Sequence, residues 1–130
     1  AYSKKIFNCF KSYLEYDPKQ KHCTIKLKNL DFSREFNRGF LRGLLDTDGT
    51  ICFSKNQKKP EIVYYTTSAS LAKQIKALLI TFNVDSNILK IKSKKKCEKD
   101  YYHVYLLTSG KERFIKTIKP FKAKKFGLVV

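Results

Sequence analysis

Acidic residues and arginine are both scarce in this sequence of 130 residues. Asp and Glu together number 11 against 28 Lys and Arg, so the formal net charge is +17. A charge of this size is far more than solubility requires, and it favours a polyanionic partner, with nucleic acid as the first candidate. Only four of the basic residues are Arg. Lysine attracts phosphate without regard to sequence, whereas arginine is the usual bidentate reader of guanine.

Metal-binding cysteine motifs and long apolar runs are also missing. The four cysteines, Cys9, Cys23, Cys52 and Cys97, contain no CxxC pair, and the two histidines are isolated, which argues against a zinc site. No secretory signal is present, so reduced thiols in an intracellular setting, cytoplasm or organelle, are expected rather than disulfides of a secreted protein. No apolar run is long enough to span a bilayer, so no membrane partner is expected.

The periodicity of the apolar residues predicts one compact α+β domain with an N-terminal extension over 1–30. The extension is predicted to hold a helix over 4–14, ended by Asp17-Pro18, and a strand over 21–29. A core over 31–130 follows. It opens on a helix from the N-cap Ser33 to about Asp46, and then contains two strand pairs, each followed by a helix. The second helix is expected to be capped by Ser68 or Ser70.

This αββαββα order predicts an antiparallel sheet with helices on one face. Alternation in the strands places Ile51, Phe53, Leu89 and Ile91 towards the helices. Their neighbours then face outward, and they are polar or basic: Thr50, Cys52, Ser54, Lys90 and Lys92. An open, basic sheet face of this kind suits the major groove of DNA, although antiparallel sheets are often simply solvated on one side.

The stretch FLRGLLDTDGTI, residues 40–51, places two of the scarce carboxylates at the end of a predicted helix. A helix C-terminus carries partial negative charge, so Asp46 and Asp48 are locally unfavourable there and call for a compensating positive group. An Asp-Gly turn without function is the simplest alternative. An EF-hand does not fit, because the loop lacks the further acidic positions that such a site needs.

The nine residues Leu41 to Gly49 resemble the signature of the LAGLIDADG homing endonucleases, with seven positions identical or nearly so. Arg42 and Thr47 stand where the named motif has Ala. The αββαββα order is similar to the family core over residues 33–125, which implies a saddle-shaped antiparallel sheet with helices on one face. The closing PFKAKK, residues 120–125, is similar to the family's stretch before its catalytic lysine.

The resemblance implies a metal-dependent active site at the end of the motif helix. Asp48 would bind Mg²⁺ or another divalent cation with the Thr47 carbonyl, while Asp46 is expected to be structural. Lys125 would be the catalytic lysine, with Lys122 and Lys124 as alternatives. Thr67, or Ser68 beside it, would orient a water molecule.

The resemblance also implies a paired helix and a DNA-binding surface. Gly39, Gly43 and Thr47 recur every four residues, so two helix backbones could approach closely along this stripe, unless the glycines serve packing inside one subunit. The expected interface comprises Gly39, Phe40, Gly43, Leu44 and Thr47. The expected DNA contacts are Thr50, Cys52, Ser54, Asn56, Tyr64, Lys90, Lys92 and Lys94. Strand tyrosines, Tyr64, Tyr65, Tyr101, Tyr102 and Tyr105, could stack on bases or pack in the core.

The function implied is site-specific cleavage of double-stranded DNA at a long recognition site, the activity behind intron or intein mobility. One chain holds one motif, so either a homodimer or a second motif-bearing half is expected to complete the enzyme. Two alternatives remain open from the residues: a non-cleaving DNA-binding regulator with the same fold, and a maturase-like RNA-binding protein.

Overall fold

A computed structural model describes residues 13–20, 24–52, 60–94, 100–120 and 123. In chain order the elements are β1 (Leu14–Glu15), a 3₁₀ turn (Pro18–Gln20), β2 (Lys26–Leu27), α1 (Arg34–Asp48), β3 (Thr50–Cys52), β4 (Glu61–Thr66), α2 (Ala69–Thr81), β5 (Ser86–Ile91), β6 (Tyr101–Leu106) and α3 (Thr108–Ile118). From α1 onward this is the predicted αββαββα order, and the α+β fold class is confirmed. None of the described helices is both long and apolar enough to cross a membrane.

Serine hydroxyls fix the beginnings of the first two helices. The Ser33 hydroxyl accepts a hydrogen bond from the Phe36 amide at 3.1 Å, and the Ser68 hydroxyl accepts one from the Leu71 amide at 3.2 Å. Each satisfies one of the amides that lack a partner in the first turn of a helix. The predicted Ser33 cap is therefore confirmed, and Ser68 rather than Ser70 caps α2.

The main sheet has the strand order β3-β4-β6-β5, and every neighbouring pair is antiparallel. Its helix side supplies Ile62, Tyr64 and Val104 to the core, where each is almost fully buried. From α2 the core receives the predicted apolar face: Leu71, Ile75, Leu78, Leu79 and Phe82. Helices α1, α2 and α3 all pack on this one side of the sheet, so no described helix covers its opposite side.

The segment before Asp31 forms a small two-stranded sheet that packs on α2. β1 pairs with β2 in the register Leu14↔Leu27, so the prediction that Leu14 ends a helix is wrong; residues 4–12 lie outside the described residues. The strand predicted over 21–29 is short, with Lys26–Leu27 as β2. The Gln74 side chain accepts from the Leu27 amide at 2.8 Å and donates to its carbonyl at 2.9 Å, while the Leu27 side chain enters the core.

The side chains of β5 point to the opposite sides of the sheet from those predicted. Ile88 pairs with the buried Val104 and packs against the core, whereas Leu89 is 49% exposed. Lys90 consequently shares the helix side of the sheet with Ile88, at the edge strand, and forms a 3.6 Å ion pair with Asp100. The expectation that Leu89 and Ile91 face inward and Lys90 faces outward is therefore wrong, because strand alternation moves every side chain once one of them is fixed.

Candidate functional site

Helix α1 ends at Asp48, whose side chain is exposed, and the chain passes through Gly49 directly into β3. The Gly49 amide donates to the carbonyls of Leu44 and Leu45 at 3.1 Å each. A β-carbon on Gly49 would lie 2.9 Å from both the Leu45 Cα and the Val63 carbonyl oxygen. Only glycine fits this close helix-to-strand approach, and it fixes where the Asp48 carboxylate stands.

Asp48 lines an open cleft that also contains Thr67. The cleft measures about 530 Å³ and lies among α1, α2 and the ends of β4 and β6. Its rim includes Tyr65 and Tyr101. The structure thus brings together two of the three side chains predicted to be catalytic, from segments nearly twenty residues apart. Lys125, with its alternatives Lys122 and Lys124, lies outside the described residues.

Two carboxylates, those of Asp46 and Asp48, lie in the last turn of α1, and that turn contains no basic residue. Asp46 is partly buried and close enough to Tyr64 for its charge to act on the phenol. Burial, and after it this carboxylate, raises the pKa of Tyr64 well above its ordinary value. The neutral Tyr64 hydroxyl donates to the Leu41 carbonyl at 2.7 Å.

Tyr64 is a core residue, with 1% of its surface exposed and its ring edge against Phe114. The prediction that Tyr64 contacts DNA is therefore wrong, because its side chain is buried and its hydroxyl is hydrogen-bonded to the Leu41 carbonyl of α1. Its neighbour Tyr65 points the opposite way and is 37% exposed, with its hydroxyl 3.2 Å from the Thr50 hydroxyl.

The stripe of small residues on α1 is open to solvent in the single chain. A β-carbon on Gly39 or on Gly43 would meet no atom within 4 Å, so packing inside the subunit does not require either glycine. The Thr47 hydroxyl turns back to its own helix and donates to the Gly43 carbonyl at 2.8 Å. An almost wholly apolar groove results, lined by Glu35, Phe36, Gly39, Phe40, Gly43, Leu44 and Thr47.

This α1 groove and the Asp48 cleft are neighbours on the surface, because Leu44 lines both and Thr47, in the groove, directly precedes Asp48. Any surface seated in the groove would therefore lie beside the Asp48 carboxylate. The residues predicted for subunit pairing, Gly39, Phe40, Gly43, Leu44 and Thr47, all line this one groove. That they contact a partner stays a prediction.

The uncovered side of the sheet, here called the outward face, is aromatic and apolar more than it is basic. Strand register assigns to it Thr50, Cys52, Glu61, Val63, Tyr65, Asn87, Leu89, Ile91, Tyr101, His103 and Tyr105. None of these is Lys or Arg, so the expectation of a basic face is wrong within the described strands. Lys92 and Lys94 are exposed just beyond the end of β5, while the candidates Ser54 and Asn56 lie outside the described residues.

His103 lies near the middle of the outward face, packed between two tyrosine rings. Its ring centroid is 4.6 Å from that of Tyr65 and 5.4 Å from that of Tyr101. Partial burial lowers the pKa of His103 below its ordinary value. At neutral pH this side chain is therefore an uncharged hydrogen-bonding group and adds no positive charge to the face.

The four arginines belong to the helices, not to the sheet. Three donate to main-chain carbonyls near helix ends: Arg34 to Thr81, Arg42 to Ile118 and Arg113 to Asn83. Arg42, at the second position of the motif, is partly buried and lies 2.8 Å from the Ile118 oxygen, so it ties α1 to the end of α3. The sequence offered no sign of this role, since the partner is distant along the chain.

Within the described ranges, no group of three or more His, Cys, Asp or Glu side chains is placed to enclose a metal ion. A divalent cation held by the described residues of one chain would therefore depend on few protein ligands. Mg²⁺ is commonly bound in this way, by one or two carboxylates together with waters and substrate phosphate oxygens. The exposed Asp48 carboxylate beside an open cleft fits such a site.

Comparison with protein-family models gives a match to the LAGLIDADG-like domain over residues 35–119. The matched region begins in the first turn of α1 and ends just after α3, so it contains the motif helix, all four strands of the main sheet and both later helices. A search of curated proteins finds no significant match. Because the family match covers more than half of the 130 residues, this chain belongs to the LAGLIDADG-like domain family.

Proposed function

We propose that this chain is a site-specific, metal-dependent endonuclease of double-stranded DNA that works as a pair of LAGLIDADG units. The observation that carries the proposal is the position of Asp48. Its exposed carboxylate stands at the end of the motif helix, in a cleft shared with Thr67 and next to an open apolar groove on the same helix. The net charge of +17 supports a nucleic-acid substrate.

Asp48, helped by the Thr47 carbonyl, is proposed to hold a divalent cation, with Mg²⁺ as the first candidate. Carboxylate and carbonyl oxygens are the donors that Mg²⁺ prefers. When bound, such an ion supplies charge stabilisation at the scissile phosphate and acidifies a coordinated water. Thr67 would orient a water molecule by a hydrogen bond, and Lys125 would stabilise the phosphoryl charge.

Pairing through the α1 groove would bring two Asp48 carboxylates together, one for each strand of the duplex. A second copy of this chain is the simplest partner, because the stripe of Gly39, Gly43 and Thr47 lets two identical helices approach closely. A separate LAGLIDADG half would fill the same groove. The symmetry of the DNA site distinguishes the two, since a homodimer requires a nearly palindromic site.

The first experiment is selection of binding sites from randomised duplex DNA, followed by addition of Mg²⁺ and sequencing of the DNA ends. A long enriched site with metal-dependent breaks near its centre is expected. Asp48→Asn should abolish these breaks while leaving binding intact or tighter, because it removes a negative charge that faces the phosphates. Glu112→Gln, which removes one carboxylate from the exposed surface of α3, is the matched control and should cut normally.

Each of the other outcomes would support a different function for this chain or contradict the role of Asp48. Enriched sites that remain intact with Mg²⁺ would indicate the non-cleaving regulator. Preference for folded or single-stranded RNA over duplex DNA would indicate the maturase-like alternative. Full activity of Asp48→Asn would contradict the assignment of Asp48 as the metal ligand.

A further inference from the structure

The composition of the outward face bears on which base pairs it can recognise. No described helix covers this face of the main sheet, and four of its side chains present substantial apolar or aromatic surface: Leu89 is 49% exposed, Tyr101 40%, Tyr65 37% and Tyr105 36%. On a protein with a net charge of +17, such a surface needs a physical reason. Duplex DNA offers one, because the groove edge of a base pair is partly apolar while its phosphates attract the surrounding lysines.

Guanine is the base that this face is poorly equipped to recognise. Its two acceptors in the major groove are normally bound by Arg or Lys. All four arginines of the chain lie on α1 and α3, on the other side of the sheet, and three of them are bonded to main-chain carbonyls. Among the described strands, no lysine is on the outward face, and His103 is uncharged near neutral pH because burial lowers its pKa.

The side chains that are present match the A·T base pair instead. The C5 methyl of thymine is the one apolar group in the major groove, and apolar side chains contact it. Leu89 lies opposite His103 in the register and presents its side chain outward. Asn87, one pleat along the same strand, is exposed opposite Tyr105. An outward Asn can bind the N6 and N7 positions of adenine with both ends of its amide.

Charge around the face supplies affinity without sequence preference. Lys92 and Lys94 are exposed where β5 ends. In the sequence, further lysines lie between β3 and β4, over 53–59, and between β5 and β6, over 95–99. Phosphate contacts by lysine fix the position of the duplex, whereas base contacts select the sequence. Selection therefore falls to the uncharged side chains of the outward face.

From this arrangement we infer that the outward face selects A·T base pairs, with Leu89 in contact with a thymine methyl and Asn87 paired with adenine. The inference rests on the proposed function, since it names the base pairs that the proposed duplex DNA substrate would present to this face. Glu61 lies at the beginning of β4, at one end of the face. Its carboxylate can accept a hydrogen bond from the amino group of cytosine, so cytosine is expected at that end instead.

The test uses the site obtained by selection from randomised duplexes, with each thymine replaced in turn by deoxyuridine. This replacement removes only the methyl group and leaves base pairing unchanged. Loss of one buried methyl group should weaken binding by about fourfold. Leu89→Ala should weaken binding to the thymine duplex, and at one position it should make the protein indifferent to the deoxyuridine replacement. Ile80→Ala, at an exposed apolar residue on α2, is the control and should leave both affinities unchanged.

A gain of specificity gives the complementary test. Leu89→Arg introduces a guanine reader on the outward face, so a repeated selection should change one position of the site from A·T to G·C. Selected sites rich in G·C beneath the sheet, or sites insensitive to every deoxyuridine replacement, would overturn the inference while leaving the nuclease proposal standing. Failure to enrich any duplex site would overturn the proposed function itself.

Discussion

Replacement of Gly43 by alanine should change the stability of the single chain and its pairing in opposite directions. A β-carbon at Gly43 would meet no atom within 4 Å of the chain, so the added methyl causes no clash inside the subunit. Alanine is favoured over glycine inside a helix by about 0.5–1 kcal/mol. For a chain of 130 residues this corresponds to a rise in melting temperature of about 2–4 °C.

Pairing should weaken because the same methyl enters the close approach between two α1 helices. An extra methyl in a tightly packed interior costs about 1–3 kcal/mol, which is roughly 5- to 150-fold in a dissociation constant. In a homodimer both subunits carry the change at the same interface, so the loss can be larger. Gly43→Leu should prevent pairing altogether.

The assay combines sedimentation with urea unfolding over a range of protein concentrations. Concentration is part of the design, because subunit association itself raises apparent stability. Ser70→Ala, on the exposed surface of α2 away from the groove, raises helix propensity without touching the stripe, so it should leave the mass distribution unchanged. A less stable Gly43→Ala monomer would show that the glycine serves packing inside the subunit. Unchanged self-association would refute pairing through this stripe.

Three further predictions concern the core and the outward face. Gly49→Ala should destabilise the fold by about 1–3 kcal/mol in urea unfolding, because its β-carbon would lie 2.9 Å from the Val63 carbonyl oxygen; an unchanged midpoint would contradict that close approach. Tyr64→Phe removes the 2.7 Å bond to Leu41 and should cost about 1 kcal/mol, whereas Tyr105→Phe on the exposed face should cost nothing measurable. Because burial lowers the pKa of His103 below 6.5, the unfolded chain binds the proton first, so stability should fall as pH falls through and below 6.5. His103→Gln should reduce this acid dependence, and an equal dependence in the variant would exclude His103 as its source.

Local signals were sufficient where a structural feature depends on neighbouring residues. Ser33 begins α1 because its hydroxyl bonds an amide three residues ahead, a contact that depends only on neighbouring residues, whereas the sequence left the cap of α2 open between Ser68 and Ser70. The position of Asp48 at the end of α1 follows similarly from the motif. The apolar face of α2 was predictable for the same reason, since helical spacing decides which side chains share a side.

The predicted membership of the outward face is wrong at β5 and at Tyr64, because the direction of these side chains depends on contacts between distant segments. The strand β5 contains Ile88 and Leu89 side by side, and either could have entered the core as far as alternation is concerned. Pairing of Ile88 with Val104 beneath α2 decided the matter and turned Leu89 outward. The face that was expected to be basic therefore carries no lysine within the described strands.

The sequence by itself determined the order of elements from α1 onward, the cap of α1, the family motif and the excess of positive charge, because each is encoded over a few residues or in composition. Only the tertiary structure decided that Tyr64 is committed to the Leu41 carbonyl, that Asp48 and Thr67 share a cleft, and that the glycine stripe remains open. The physical reason is that a side chain's burial and partners are fixed by the elements packed against it. Those elements come from parts of the chain that local pattern does not connect.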